Sequence, residues 1–372
     1  MNKINRRQFM KNAIVMGAAI TASPEVLACS RQMKQSVKKN EQLPLGSRVD
    51  HPNVNNLRVV GITDGNMTRD LDPSSSWARQ EELVVKQVVN ENIDKLACGL
   101  AETEDPTHAW RAIFIKPSHK SWTETVVAIK TNHISRQHTR SAVMSKICHI
   151  FTDTLGVRPA NIHIYDACHG SSISENTPFS DLPEGCRIEN KWGGSSAVTS
   201  IPEPWKKGTG KAKCLKYLVD GSVDILVNIA MCKGHSQKFG GFSMTMKNHF
   251  GTFSPRPGHG TDGTGYLIAI NRTPEILGEI DKRTGKIPFP RQQLCLIDAL
   301  WASKGGPGGN PTHQPNFLAM GVLSPIVDYQ VATKFRGQRM GWKPNMKITH
   351  RMLTDFGYSE SDLPAGGKII EL

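Results

Sequence analysis

The sequence predicts an α/β fold: a mixed, mainly parallel sheet flanked by helices, with long loops rich in glycine and proline at the carboxyl ends of the strands. Three observations predict it. Short aliphatic runs bounded by turn residues recur along the chain, segments with helical spacing of apolar residues separate them, and polar residues follow the ends of several runs. Strands that alternate with helices are typical of parallel sheets.

The predicted strands are residues 57–63, 112–115, 126–129, 161–165, 223–229, 293–297 and 317–323. Residues 81–100 place leucine, isoleucine and valine at helical spacing, with charges on the other face. Further helices are predicted over residues 137–155, 211–220, 266–270, 274–281 and 351–356. Residues 174–211 are rich in Pro, Gly and Ser and predict a long excursion or lid, whose tryptophans would close over a site or simply cover the sheet.

Composition limits the classes of function. The chain has 372 residues, of which 38% are hydrophobic, enough for a packed core. A net charge of +13 indicates acidic partners: an anionic substrate, an anionic polymer or a membrane surface. Because the chain has no recognised nucleic-acid module, we do not expect nucleic acid as a partner. The eight cysteines form no C-x-x-C pair, which argues against a ferredoxin-type cluster or a zinc ribbon, and their spacing leaves disulfide pairing open.

The N-terminus resembles a twin-arginine export signal. Arg6 and Arg7 precede an apolar run over residues 13–22. This resemblance implies the twin-arginine export machinery as a partner and a periplasmic location. Residues 26–29 resemble a relaxed lipobox, which implies a lipid anchor at Cys29 facing the periplasm; ordinary cleavage near Ala28 is the alternative.

The predicted domain organisation follows from this N-terminus. Residues 1–28 are the signal peptide, residues 29–55 a flexible tether of low apolar content, residues 56–340 the α/β domain, and residues 341–372 a C-terminal tail packed on it.

The stretch with the highest density of candidate functional side chains is residues 231–265. It is rich in glycine, lysine and histidine and contains a single carboxylate, Asp262. Cations and imidazoles on a backbone that can turn freely are what a site for an anion or a metal-bearing ligand requires. The stretch also follows a predicted buried strand, and ligands of open α/β sheets lie beyond the carboxyl ends of strands. A mobile basic loop without a ligand is the alternative.

Several short motifs occur in the order found in a known family. They are Lys130-Thr131-Asn132, Lys233-Gly234-His235, Lys247-Asn248-His249-Phe250-Gly251, His259, Ile297-Asp298-Ala299 and Gly305-Gly306-Pro307-Gly308. Together they resemble the family catalogued as domain of unknown function 362, over roughly residues 55 to 335. The resemblance implies no reaction.

The central stretch also resembles the nickel-pincer lactate racemases. His235, the Gly240-Gly241-Phe242-Ser243 turn, Lys247 and His259 follow in the same order as a histidine, a glycine-rich turn, the lysine that carries the cofactor and a nickel-binding histidine. This resemblance implies a transition metal or an organometallic cofactor. The chain lacks the upstream Gly-x-His-Arg motif of the racemases, so it does not imply racemisation.

Polar residues at four strand ends predict a single site. Lys130, Asp166, His235 and Asp298 each fall near the carboxyl end of a predicted strand, and such ends converge on one edge of a sheet. The predicted catalytic residues are His235, Lys247 and His259. The predicted ligand-binding residues are Lys130, Asn132, Asp166, Lys233, Asn248 and Asp298. His235 and His259 are also the predicted metal ligands.

A second anion site is predicted at the start of the helix over residues 137–155, beside Lys130, His138 and Arg140. The alternative is that Thr139 caps this helix and the cations are solvated.

Three roles remain open at this level. The first is an exported protein that binds a small anionic ligand, or a metal or organometallic cofactor, and acts on a small organic acid with His235 as general acid/base. The second is a non-catalytic periplasmic binding or accessory protein. In a third, structural role, the histidines and lysines would only stabilise the loop through hydrogen bonds.

Overall fold

An eight-stranded sheet organises the chain, in the order β12-β1-β11-β10-β7-β2-β3-β4. The computed structural model describes residues 47–134, 136–166, 173, 177–189, 196–206, 210–281, 283–284, 286–364 and 367–372. The predicted signal peptide, Cys29 and the tether up to residue 46 lie outside the described residues. All described residues fall within one compact unit, Glu41–Leu372.

The strands of the main sheet are β1 (Val60–Thr63), β2 (Val127–Lys130), β3 (Ile162–Tyr165), β4 (Arg187–Glu189), β7 (Ile225–Met231), β10 (Gln292–Ala299), β11 (Phe317–Gly321) and β12 (Ile370–Glu371). Two hairpin-like pairs lie outside it: β5 (Ser196–Ile201) with β6 (Gly210–Leu215), and β8 (Lys233–Gly234) with β9 (Phe242–Ser243).

The helices are α1 (Trp77–Glu81), α2 (Lys86–Ala101), α3 (Pro106–Ile113), α4 (Ser141–His149), α5 (Lys216–Val219), α6 (Thr245–Asn248), α7 (Gly263–Ile270), α8 (Pro274–Leu277), α9 (Ser324–Gln330) and α10 (Met346–Thr354). Two of them continue as π-helix, α4 over Ile150–Leu155 and α9 over Val331–Arg339. No helix among the described residues has both the length and the apolar composition needed to cross a membrane.

The predicted fold class is confirmed. Strands β4, β3, β2, β7 and β10 are consecutive parallel neighbours, and β1 pairs in parallel with β12. Strand β11 pairs antiparallel with both β10 and β1, so it alone in this sheet runs against the others. The carboxyl ends of the parallel strands therefore meet at one edge.

Each face of the sheet carries its own apolar core, because successive side chains of a strand point to opposite faces. On β7, Val227 packs into the core that α2, α3 and α4 cover, whereas Leu226 packs into the core that contains α7, α9 and α10. A strand buried on both faces has a nearly continuous apolar sequence, which explains why the run over residues 223–229 was recognisable.

Two predicted elements were wrong. Residues 112–115 were predicted as a strand, but the first two end α3 and the rest lead away from it. This helix begins with Asp105, whose side chain accepts the His108 N–H, followed by Pro106 at the first helical position, and both are helix-start signals. Residues 211–220 were predicted as a helix, but most of the segment lies in β6, and the helix that follows is the four-residue α5.

The described part of the predicted tether is packed rather than free. Val49 is buried and exchanges hydrogen bonds with the Tyr358 hydroxyl. His51 is also buried, and its Nε2 lies 3.0 Å from the carbonyl oxygen of Ile113. The folded region therefore begins before Asn56, the first residue predicted for it.

Candidate functional site

The end of β2 and the segment after β7 meet in a buried network of lysine, asparagine and aspartate side chains. Lys130 Nζ lies 3.3 Å from Asp166 Oδ1, and both side chains are almost completely excluded from solvent, at 1% and 2% exposure. Lys130 Nζ also donates to Asn248 Oδ1 at 3.1 Å. Lys233 Nζ donates to Asn132 Oδ1 at 2.7 Å and to the Ile134 carbonyl oxygen at 2.9 Å. These polar groups satisfy one another within the protein.

Asn132 and Asn248 connect the two lysines of this network. Asn132 Nδ2 donates to Asn248 Oδ1 at 3.0 Å, and Asn248 Nδ2 donates to Asn228 Oδ1 at 2.9 Å. Burial lowers the pKa of Lys233 to about 7, and the neighbouring charge of Lys130 adds to this, while Asp166 opposes it. The network therefore contains an ammonium group that can lose its proton near neutral pH.

Gly251 allows this network to form. A Cβ atom at Gly251 would lie 2.2 Å from Asp166 Oδ1 and 2.6 Å from Lys130 Cε. The backbone of the lysine- and histidine-rich segment thus passes directly over the Lys130–Asp166 pair. Only glycine fits there without displacing these buried groups.

A small cavity of about 60 Å³ lies above the network. Its polar wall is formed by Asn132, His235, Ser243, Lys247 and His259. None of the described residues that line it is acidic. Of the nine residues predicted for the site, four therefore line one cavity.

Aromatic rings hold the cation of this cavity in place. Lys247 Nζ lies 3.2 Å from the ring centroid of Phe250 and 4.6 Å from that of Phe239. The side chain of Lys247 is 9% exposed. A lysine packed between aromatic faces keeps its ammonium group in one position, because the ring quadrupoles attract it.

His235 enters the cavity in a defined protonation state. The Ser236 backbone N–H donates to His235 Nδ1 at 2.7 Å, so in the neutral ring the proton is on Nε2. Burial lowers the pKa of His235 to about 3, helped by the nearby charges of Lys247, His259 and Lys238. The ring is therefore neutral at physiological pH and offers an N–H donor.

The loop after β10 closes the cavity from the other side. The Gly234 N–H donates to the Gly305 carbonyl oxygen at 2.8 Å, and a Cβ on Gly234 would lie 2.0 Å from the Lys304 carbonyl oxygen. This close backbone contact places Pro307 in the cavity wall. It also brings the motif over residues 233–235 and the motif over residues 305–308 together in the fold.

Asp298 lies outside the wall of this cavity, although it was predicted to bind ligand. It is in β10 rather than beyond it, is fully buried and is not in the cavity wall. Its carboxylate accepts the N–H groups of Arg140 at 2.9 Å and Leu300 at 3.2 Å. Burial raises the pKa of Asp298, and the charge of Arg140 opposes this shift. The observed contacts of Asp298 are with the protein itself.

The predicted anion site at the start of α4 is filled by the protein's own carboxylates. The N–H of Ser141 lies 3.2 Å from both carboxylate oxygens of Glu81, and Asp298 accepts the preceding N–H. Thr139 does not cap this helix, because its hydroxyl accepts the N–H of Asn132 instead. Both alternatives for this helix start were therefore wrong.

Several residues of the site were missed by sequence reasoning. Asp328 accepts the backbone N–H groups of Thr245 at 2.8 Å and Met246 at 2.9 Å and so holds the first turn of α6, the helix that carries Lys247. Asp328 lies about 80 residues further along the chain, and no local pattern connects it to that helix. Phe250, by contrast, lies within a quoted motif and could have been chosen as an aromatic neighbour of Lys247.

A larger cleft of about 1040 Å³ lies between α2 and the C-terminus. Its charges include both signs, and one pair, Arg58 with Glu102, forms a salt bridge. It holds none of the predicted residues. We place the site at the smaller cavity because buried cations, imidazoles and a closely packed backbone meet there.

Among the described residues, no three or more His, Cys, Asp or Glu side chains are arranged to hold a metal ion. His235 and His259 share the cavity, as predicted for a pair of ligands, but Lys247 lies in the same wall. A cation bound there would be repelled by that ammonium group and by Lys233 beneath it. The donor set therefore suits an anion better than a metal ion held by the protein alone.

The comparisons with known proteins identify the family of the chain. A family model described as Domain of unknown function (DUF362) matches residues 127–332, more than half of the chain. The chain belongs to this family. No curated protein and no solved structure matches it. The DUF362 match includes β2, β3, β7, β10 and β11, and thereby all nine predicted site residues.

Proposed function

We propose that the protein binds the anionic group of a small organic acid in the cavity formed by Asn132, His235, Ser243, Lys247 and His259. One observation carries the proposal: a buried, ring-held lysine and a neutral imidazole N–H line a cavity whose described wall contains no acidic residue. A carboxylate there would accept one charge-assisted and one neutral hydrogen bond.

The size of the cavity limits the ligand. A volume of about 60 Å³ exceeds the roughly 10–15 Å³ that a cavity needs to hold one water molecule. It accommodates a carboxylate or a similar group, with the rest of the ligand directed outward past His259, which is exposed to solvent. Ile134, Phe250, Pro255 and Pro307 supply apolar surface for that part.

The cations beneath the cavity support the same proposal. Lys233 and Lys130 lie in the network under Asn132, and the one carboxylate of that network, Asp166, is paired with Lys130. Below about pH 7, where Lys233 keeps its proton, an anion entering the cavity thus meets a positive charge that Asp166, the carboxylate of this network among the described residues, does not cancel. In a partly desolvated site the field of such a charge is stronger than at the surface.

Catalysis on the bound acid is the second candidate. The hydrogen bond from the Ser236 N–H leaves the His235 proton on Nε2, so the neutral ring would polarise a bound group as a hydrogen-bond donor rather than give up its proton. Non-catalytic binding needs only the same contacts. We further propose that either activity takes place in the periplasm, on the strength of the N-terminal signal.

Calorimetric titration of the purified protein tests the proposal. The ligands are a small 2-hydroxy acid, acetate, inorganic phosphate, and the uncharged amide of the 2-hydroxy acid. We expect a carboxylate to bind and the amide not to bind. Lys247→Met should weaken carboxylate binding at least 10-fold, since the loss of one charge-assisted contact in a buried site exceeds about 1.4 kcal/mol.

Lys213→Met is the matched control, because Lys213 is exposed on β6 and the substitution removes the same charge. It should leave affinity unchanged. Equal binding of acid and amide, or equal affinity of the wild type and Lys247→Met, would rule out the proposed contact.

A further inference from the structure

Strand β12 forms an open edge of the main sheet. Within the described part of the chain it is the last strand on its side, and it pairs in parallel with β1. The N–H of Ile370 donates to the carbonyl oxygen of Val59 at 2.9 Å. The N–H of Leu372 donates to the carbonyl oxygen of Gly61 at 3.1 Å. Because alternate peptide groups of a strand point to opposite sides, the N–H of Glu371 points away from β1, along the open edge.

A cleft lies on each face of the sheet at this edge. Ile370 and Leu372 line the cleft of about 1040 Å³ beside α2. Ile369 and Glu371 line a second cleft, of about 530 Å³, beside the π-helix Val331–Arg339. The alternation follows from the strand itself, since successive side chains point to opposite faces. A strand added at this edge would therefore direct its own side chains into the two clefts in turn.

The second cleft is positively charged. Its cations are Lys334, Arg339 and Lys368. Among the described residues that line it, Glu371 is the one carboxylate, and it lies 3.9 Å from Arg339 Nη1. The same nitrogen donates to Thr63 Oγ1 at 2.6 Å, which holds the guanidinium at the end of β1. The excess of cations suits an acidic side chain.

The cleft beside α2 suits an apolar side chain. Leu372 is 49% exposed there, and covering it removes apolar surface from water. Of the carboxylates in the wall, Glu102 forms an ion pair with Arg58. Asp94 lies 2.6 Å from Lys146 Nζ. Because these two carboxylates already have partners within the protein, the exposed leucine is the surface that a ligand would cover.

We propose that the edge of β12 binds an extended peptide segment of a partner protein, in which acidic and apolar residues alternate. The segment adds a strand beside β12, with its acidic side chains toward the cations of the second cleft and its apolar side chains over Leu372. In such complexes main-chain hydrogen bonds supply affinity and alternating pockets supply specificity. A second copy of this chain fits less well, because a net charge of +13 repels a like copy. The proposal does not depend on anion binding in the smaller cavity.

Fluorescence anisotropy with a labelled synthetic peptide tests the proposal on the purified protein. The probe is Val-Glu-Val-Glu-Val with blocked ends. The comparison peptides are Val-Lys-Val-Lys-Val and the probe with methylated peptide nitrogens, which cannot donate hydrogen bonds to a strand edge. We expect saturable binding of the probe, binding of the lysine peptide that is weaker by about 10-fold, and no binding of the methylated probe. Equal binding of the acidic and basic peptides, or of the probe and its methylated form, would overturn the proposal.

Two substitutions of Glu371 separate strand pairing from charge. Glu371→Pro removes the outward N–H, and because proline is tolerated where an edge strand faces solvent, this variant should fold but no longer bind the probe. Glu371→Gln keeps the N–H and removes a repelling carboxylate, so it should bind the probe at least as tightly as the wild type. Undiminished binding by Glu371→Pro would mean that the cations hold the peptide without an added strand, contrary to the proposal. If Glu371→Pro does not fold, the methylated probe makes the same test from the side of the peptide.

The cations of the second cleft are tested together. Lys334→Gln/Lys368→Gln should weaken binding of the probe by about 5-fold. Lys343→Gln/Lys347→Gln is the matched control, because these lysines are exposed and lie outside both clefts, and it should bind as the wild type does. Sedimentation equilibrium should show a monomer that binds one peptide. A dimer that Glu371→Pro abolishes would assign the edge to a second copy and overturn the proposal.

Discussion

At the scale of single residues, the protonation state of His235 would affect how the proposed anion is held. In the protein without a bound anion, the pKa of His235 is lowered to about 3, so the ring is uncharged at neutral pH. An anion beside the ring would raise this pKa, because an opposite charge favours the protonated form. Binding would then take up a proton at pH values between the two pKa values.

This coupling predicts tighter anion binding at lower pH. Between pH 7 and pH 4 the affinity for a small sulfonate, whose own charge stays constant, should rise by up to 10-fold per pH unit as His235 becomes protonated in the complex. Calorimetric titrations at several pH values measure this slope. His235→Gln should flatten it, whereas His108→Gln, an exposed residue of α3, should not. The same slope in wild type and His235→Gln would exclude His235 as the group that takes up the proton.

The Lys130–Asp166 pair leads to a second prediction, about Gly251. A methyl group at this position would lie within 2.6 Å of both side chains, neither of which can move into solvent. Because disrupting a buried ion pair leaves charges uncompensated, Gly251→Ala should lower the free energy of unfolding by about 3–5 kcal/mol.

Denaturant unfolding measures this loss, and Gly65→Ala is the matched control. A Cβ at Gly65 would have no atom within 4 Å, so that variant should stay within about 0.5 kcal/mol of the wild type. A similarly small effect of Gly251→Ala would show that the backbone above the ion pair can shift at little cost in free energy.

At the scale of elements, α6 depends on a distant carboxylate. Asp328 is fully buried and caps the first turn of this four-residue helix. Burial raises the pKa of Asp328 to about 6, although the hydrogen bonds from Thr245 and Met246 oppose the shift. Because the pKa is raised in the folded state, the native protein holds a proton between about pH 4 and pH 6 that the unfolded chain has lost.

The free energy of unfolding should therefore fall as pH rises through this window, by about 2–3 kcal/mol from this group alone. Asp328→Asn does not titrate, so the difference in free energy of unfolding between wild type and Asp328→Asn should decrease from pH 4 to pH 6. Denaturant unfolding at three pH values measures it, with Asp220→Asn, an exposed turn residue, as the control. A difference that stays constant with pH would contradict the raised pKa.

The elements that sequence analysis predicted well are those whose pattern is local and long. Residues 81–100 include nearly all of α2, which begins five residues later, at Lys86, and the aliphatic run over residues 223–229 overlaps β7. The run over residues 112–115 was ambiguous, because four apolar residues fit a buried strand or the end of a helix equally well. The helix-start signals at Asp105 and Pro106 favour the end of a helix.

At the scale of the whole molecule, contacts between distant segments determine what sequence patterns could not predict. The direction of β11 follows from its pairing with β1, more than 250 residues away, and β12 is a strand only because it adds to the edge of β1. The convergence of the polar strand ends was predictable, because the carboxyl ends of parallel strands lie at the same edge of a sheet. That Asp166 would pair with Lys130 rather than face the cavity depends on side-chain packing, which carries no sequence signature.

The proposed export concerns the whole chain, and the paired arginines Arg6 and Arg7 allow it to be tested. A receptor that reads arginine distinguishes it from lysine, whereas a membrane or a general electrostatic attraction would not. Arg6→Lys/Arg7→Lys keeps the charge of the signal and should therefore retain the full-length protein in the cytoplasm of a host with a twin-arginine pathway. Fractionation into cytoplasm and periplasm measures the distribution, and Lys3→Gln, which lowers the charge but leaves the pair intact, should still be exported. Periplasmic accumulation of the double lysine variant would mean that another export route recognises this N-terminus.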